Sequence, residues 1–236
     1  MDSIQIEYCF QMDEAQSNRY LVTLAADSLT TVDAPPADLP PWTVLRVNQC
    51  PNCPLDPSVA SHCPAAVNMV RLVAHFDQLL SYDKTLVSVT TEERKVFAHT
   101  TVQRGICSLM GLLMATSRCP RTAFFKPMAR FHLPFATTEE TIWRATSTYL
   151  LAQYFIHGQY GRADLTFDGL SNIYGEIQIV NKAFARRLRA ACRQDSMVNA
   201  IILLDMFAKS MPTANEDSLA EIRKLFTPYL RSDENA

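Results

Sequence analysis

Apolar and polar side chains alternate along Ile4-Gln5-Ile6-Glu7-Tyr8-Cys9-Phe10-Gln11-Met12, the period of a half-buried strand. Asp13 to Asn18 is polar and turn-like, and Tyr20–Leu24 reads as a second strand, so a hairpin opens the chain. Cys9 reads as an ordinary semi-buried side chain of the first strand. From Ala65 the period changes. Val67, Val70, Leu72, Val73, Phe76, Leu79 and Leu80 recur at three- to four-residue steps and predict a helix to about Tyr82. Leu86, Val87 and Val89, then Val96 and Phe97 beyond the polar Thr90–Arg94, predict one long strand or a short hairpin that completes a small antiparallel sheet. Helical spacing returns over Thr101–Ser117. It returns again after Thr137, which forms a capping-box pattern with Glu140 and opens a helix that breaks at Gly158–Asp164. The longest predicted helix is Phe167–Arg193. Its inward stripe holds Leu170, Ile173, Tyr174, Ile177, Phe184, Leu188 and Ala191, and a solvated basic face carries Lys182, Arg186, Arg187, Arg189 and Arg193. Ser196–Lys209 is another apolar helix. A second capping-box pattern, Thr213 with Glu216, opens a last one to about Leu225, before a frayed tail from Arg231.

These elements predict an α+β fold, a small antiparallel β-sheet packed on a mainly α-helical bundle. Residues 1–100 supply the sheet, a Cys-Pro loop and the first helix, and residues 101–236 supply the bundle, as one compact unit. Two stretches follow neither period. In residues 33–64, Pro35, Pro36, Pro40 and Pro41 precede Trp42, and proline stops both helix and central strand. A loop of that length in a compact domain needs something to pin it. Residues 118–138 are spaced by Pro120, Pro127 and Pro134 and are likewise expected to be irregular.

Composition narrows the partners. The chain has 236 residues, 48% apolar and 19% charged, with 6 glycines against 13 prolines and a net charge of -2. That charge gives no field to attract nucleic acid. No apolar run reaches the length of a membrane span, and Met1–Glu7 has no secretory pattern. Seven cysteines, an odd number, fit a reducing cytoplasm, where clustered cysteines mean metal more often than disulfide.

Four of the seven are followed by proline: Cys50, Cys53, Cys63 and Cys119. The two-residue gap between Cys50 and Cys53 lets two thiolates converge on one ion. Cys63 is expected at the first turn of its helix with Pro64 in the favoured first position, where unpaired amides stabilise a thiolate. The fold would bring in the remote Cys119. Soft thiolates select Zn²⁺, Cu(I) or an iron–sulfur cluster, and four of them suit a closed zinc site or a [4Fe–4S] cluster. Pro54 stands where a zinc knuckle usually has glycine, and proline after a cysteine ligand is common around clusters, so [4Fe–4S] is favoured over Zn²⁺. His62, beside Cys63, is a substitute ligand, whereas His75, His99 and His157 have no clustered partners.

Pro127-Met128-Ala129-Arg130-Phe131-His132-Leu133-Pro134-Phe135 is the other concentrated segment. In an extended conformation Arg130 and His132 would point the same way. Arg130 could bind an anion or screen a thiolate cluster, and His132 could be a ligand or proton donor. A structural reading pairs Arg130 with an acid and His132 with the backbone. The chain has no phosphate loop, nucleophile elbow or His-Glu-x-x-His helix.

Cys50-Pro51-Asn52-Cys53-Pro54-Leu55 resembles the opening ligand pair of the iron–sulfur uracil-DNA glycosylases, over six residues and with none of their catalytic motifs elsewhere. A wider set also carries a resemblance. It comprises Cys-Pro-x-Cys-Pro-Leu, His-Cys-Pro-Ala-Ala, Gly111–Ser117 before Cys119-Pro120, and Pro127–Phe135. From about Trp42 to Phe207 the chain resembles an uncharacterised bacterial protein family with no assigned function, except that Arg118 stands where glycine is expected. Three functions fit. The first is a cytoplasmic four-cysteine metal-binding protein with a structural, redox-sensing or metal-sensing role. The second is a metal-dependent enzyme using Arg130 and His132 on a small anionic substrate. The third is an interaction module with structural zinc. The partner classes to expect are another protein or a second copy of the chain.

Overall fold

The computed structural model describes residues 2–12, 17–213 and 217–230. Strands β1 (Ser3–Gln11), β2 (Ser17–Ala25), β3 (Lys84–Thr90) and β4 (Lys95–Thr101) form one antiparallel sheet in the order β2-β1-β3-β4. The second apolar stretch is therefore a hairpin, not one long strand. Alternation places Ile6, Tyr8 and Phe10 of β1, Tyr20, Val22 and Leu24 of β2, and Val87 and Val89 of β3 on the buried face. Cys9 lies on the other face, half-buried, between Arg19 and Ser88.

Against the buried face pack α1 (Pro64–Phe76) and α2 (Val102–Ala115), which follows β4 without a linker. Short α3 (Lys126–Arg130) leads to α4 (Thr138–Tyr160), α5 (Asp168–Ala191) and α6 (Ser196–Thr213), and α7 (Asp217–Arg223) and α8 (Thr227–Leu230) end the described chain. The main apolar cluster spans Ile6 to Ile201 and joins the sheet to α1, α2, α5 and α6. A smaller one, with Ile142, Ala145, Leu170, Tyr174, Ile177 and Ala208, joins α4, α5 and α6. The architecture is the expected α+β fold.

Helix ends follow local chemistry. Thr137 Oγ1 accepts the Glu140 amide at 3.1 Å and Glu140 Oε2 accepts the Thr137 amide at 2.8 Å, which closes the predicted capping box of α4. Gly161, at φ +68°, ends α4 in the left-handed region that glycine adopts without a Cβ penalty. α1 stops at Phe76, six residues before the predicted end at Tyr82. Asp195, before α6, accepts the Ser81 amide at 3.1 Å and the Ser81 hydroxyl at 2.8 Å, and so ties the connecting segment to the bundle. The pattern at Thr213 and Glu216 and the tail from Arg231 lie outside the described residues.

Candidate metal centre

The segment before α1 is folded back on itself by main-chain bonds. The Cys63 amide donates to Thr43 O at 2.8 Å and the Leu45 amide to Ser61 O at 2.9 Å, and Val44 bridges His62. Cys63 is the N-cap residue of α1 with Pro64 at its first position, as the Cys-Pro spacing requires. The Cys53 amide donates to Cys50 O at 2.9 Å, which closes the turn of the Cys-Pro-Asn-Cys run. Cys119 enters from the turn after α2, with its amide 3.3 Å from Ser117 Oγ. Arg118 is not among the residues with positive φ, so this turn does not call on the freedom of glycine.

All seven cysteines are free thiols. Cys50, Cys53 and Cys119 are half-buried against the main core, and Cys63 is buried in it. Burial pushes the Cys50 thiol from 9.0 up to about 12, and negative charge on Cys63, Cys119 or Cys53 would push it the same way. Cys63 is raised by burial and by Cys119, against the Ala66 and Ala65 amides at the helix start and against Arg187. The four proline-trailed cysteines are therefore electrostatic neighbours. Among the described residues no set of three or more His, Cys, Asp or Glu side chains is gathered at a geometry that would hold a metal ion. The thiols influence one another's charge but are not gathered as a metal-holding set.

The residue that sequence reasoning missed is Arg187. Read as part of a solvated basic face, it is instead 2% exposed, among the largest fully buried side chains, while Lys182, Arg186, Arg189 and Arg193 are exposed. Its guanidinium donates to the carbonyls of Trp42, of Val44 at 2.9 Å and of Leu45 at 3.3 Å. Among the described residues it forms no ion pair with a carboxylate. Burial lowers its pKa, and Cys63, Cys50 and Cys53 work in the opposite direction. The signal for its burial was present, because Arg187 is three residues after Phe184 and one before Leu188, on the inward stripe.

A second contact set ties the Cys-Pro segments together. Asn52, between Cys50 and Cys53, donates through Nδ2 to Glu176 Oε2 at 2.8 Å and to Glu176 O at 3.0 Å on α5. Arg121, two residues after Cys119, donates to Asn52 O at 2.8 Å and pairs with Glu176 Oε2 at 3.0 Å. Among the described residues, Asn52 Oδ1 is buried without a hydrogen-bond partner.

Arg130 and His132 diverge. The expected extended segment is instead helical over Lys126–Arg130, so the two side chains do not share a face. Arg130 is exposed, with its guanidinium 5.4 Å from the Phe131 ring. His132 turns inward, with Nε2 2.5 Å from the Tyr8 hydroxyl, which is also 2.9 Å from Ser108 Oγ. Burial, aided by Arg144, pulls His132 from 6.5 down to about 3, so it is neutral at physiological pH. His62 Nδ1 is 2.9 Å from Ser61 Oγ.

Chemically, the thiols are soft donors, and Cys63, Cys50 and Cys53 act on the buried charge of Arg187. No described helix is long and apolar enough to cross a membrane. No curated protein and no solved structure matches the chain. The model of one family matches residues 6–227, nearly the whole length, and the chain belongs to that family, described as Domain of unknown function (DUF6901).

Proposed function

We propose that the protein is a cytoplasmic metal-binding protein in which Cys50, Cys53, Cys63 and Cys119 hold a [4Fe–4S] cluster in preference to Zn²⁺, in a structural or a redox- or metal-sensing role. What supports the reading is that the Cys50 thiol feels Cys63, Cys119 and Cys53, and that the buried Arg187 guanidinium feels Cys63, Cys50 and Cys53. Removing an unpaired charge from water costs several kcal/mol, and neutral carbonyl acceptors do not cancel it. The ionisable groups that favour the charged form of Arg187 are Cys63, Cys50 and Cys53. A set of thiolates bound to a cation is net anionic and is the counter-charge this arginine calls for. The soft donors fit either metal, and the prolines after each cysteine favour the cluster.

Enzymatic use of Arg130 and His132 draws no support from their geometry, since one side chain is exposed and the other is bonded to Tyr8. The test is the visible spectrum of protein purified without oxygen. A brown protein with broad absorbance, bleached by reductant or oxygen, is expected. A colourless protein containing zinc would replace the cluster with zinc, and a protein with neither metal would overturn the reading.

A further inference from the structure

β2 is an edge strand, and between it and the second half of α1 lies a cleft of about 280 Å³. Its walls are Arg19, Tyr20 and Leu21 of β2 and Arg71, Ala74 and His75 of α1, the last three on one helix face. Two guanidiniums from separate elements thus meet at one hollow. Arg19 Nη1 is 3.3 Å from Glu7 Oε1, and Arg71 Nη1 is 3.4 Å from Asp33 Oδ2, but neither acid lines the cleft. Each ion pair engages one Nη1, which leaves the other donors of both forks without a hydrogen-bond partner among the described residues. The Arg71 guanidinium lies 5.7 Å from the centre of the Tyr20 ring, a cation–π contact that restrains it.

Two further donors belong to the same hollow. Tyr20 is 6% exposed, yet its hydroxyl is neither bonded within the described chain nor sealed from solvent. Burial holds its pKa up at about 12, against Arg71, so at neutral pH the phenol keeps its proton to donate. The other donor is a main-chain amide. Thr23 O accepts the Val32 amide and the Ala25 amide donates to Thr30 O, so alternate residues of β2 turn their main-chain groups away from β1. Leu21 is in that phase, beyond the stretch that Thr30–Val32 covers, and its amide faces the open edge.

We propose that this cleft binds a small phosphate monoester, its phosphate between Arg19 and Arg71 and its ester group against Leu21 and Ala74. A carboxylate has two acceptor oxygens, fewer than two arginine forks, a phenol and an edge amide can serve. A phosphate presents three terminal oxygens, and arginine forks fit it bidentately. The acids do not bar it, because exposed ion pairs of this kind hold weakly and exchange for a dianion. The volume is below the roughly 300–1,000 Å³ of drug-sized ligand sites, which limits the ester to a few carbons.

The test is a two-dimensional NMR titration of the isotope-labelled full chain in chloride buffer, with glycerol phosphate, acetate and a phosphoserine peptide as probes. Glycerol phosphate should shift the Leu21 amide saturably with a Kd of roughly 0.1–1 mM, and acetate should bind at least about tenfold more weakly. Arg19→Gln and Arg71→Gln should each weaken glycerol phosphate about tenfold and Tyr20→Phe about threefold, whereas Asp33→Asn should tighten it. Arg94→Gln, an exposed arginine outside the cleft, should change nothing. Unchanged melting temperatures would show that the exposed Arg19 and Arg71 variants fold, and Tyr20→Phe keeps the ring in the core. No saturable shift up to about 10 mM overturns the proposal. So does an affinity that survives both arginine variants, or acetate bound as tightly as glycerol phosphate. A phosphoserine peptide bound tenfold tighter than glycerol phosphate would give the cleft to a protein partner and overturn the small-molecule assignment.

Discussion

Arg187 shows how one residue's surroundings decide its chemistry. Replacing it with methionine keeps the volume and removes both the charge and the three bonds to the Trp42, Val44 and Leu45 carbonyls. Groups that orient or balance metal ligands typically contribute 10- to 100-fold in affinity. The expected outcome for Arg187→Met is metal retention about tenfold weaker in a competition with chelator. Arg187→Lys, which keeps the charge but cannot span three carbonyls, should fall between the two. The second residue-scale prediction concerns His132. Its folded pKa, about 3, is below the ordinary 6.5, so between those values the unfolded chain binds the extra proton. Stability from this group is complete above pH 6.5 and is lost as the pH falls toward 3. In His132→Gln this acid limb should flatten, measured as melting temperature between pH 7 and 4. Tyr8→Phe should destabilise by about 1 kcal/mol through the lost hydroxyl bonds. At this scale the place of Cys63 at the start of α1 was legible because Cys-Pro is a local pattern. The roles of Arg187, Arg130 and His132 were not. A charged residue on an apolar stripe reads as noise in a basic run, and the Lys126–Arg130 turn begins where three prolines suggested extended chain.

Among the elements, α5 does most to hold the cysteine segments, since it supplies both Arg187 and Glu176. The Asn52–Glu176–Arg121 contacts lock the Cys50–Cys53 turn to the Cys119 turn across α5, so Glu176→Ala should loosen both together. The expectation is metal transfer to a chelator about tenfold faster, while the exposed ion pair itself contributes no more than about 1 kcal/mol to folding. Equal transfer rates in Glu176→Ala and wild type would remove this network from the account. The capping box of α4 offers a control remote from the cysteines. Thr137→Ala should cost about 1 kcal/mol of stability and leave metal content unchanged. Helices and strands were legible wherever apolar spacing was regular, and the capping box set the start of α4. The end of α1 was not legible, because Leu79 and Leu80 continue the apolar period past it while its last residues are met from far along the chain, by Ser196 Oγ on Phe76 O at 3.4 Å and the Arg193 amide on Asp77 Oδ1 at 2.6 Å.

For the molecule as a whole, the metal reading makes the loop before α1 conditional on occupancy. The Trp42–Leu45 carbonyls are held by Arg187 from one side and by the Ser61–Cys63 pairing from the other, and both supports adjoin the thiols. Chelation should therefore raise hydrogen exchange over residues 41–63 while the sheet stays protected, a local opening rather than global unfolding. The α+β layering followed from the run of strands and helices in the sequence, whereas the strand order β2-β1-β3-β4 did not. That Cys119 bears on Cys50 and Cys63 could only be assumed from sequence, because it arises from packing α2 against α1 and the sheet. The most direct measurement is therefore metal per chain, determined for wild type, Cys119→Ser and Cys9→Ser purified in parallel without oxygen. The account predicts about four iron atoms per chain in wild type and in Cys9→Ser, and a large loss in Cys119→Ser. Metal content unchanged by loss of the Cys119 thiol would contradict it.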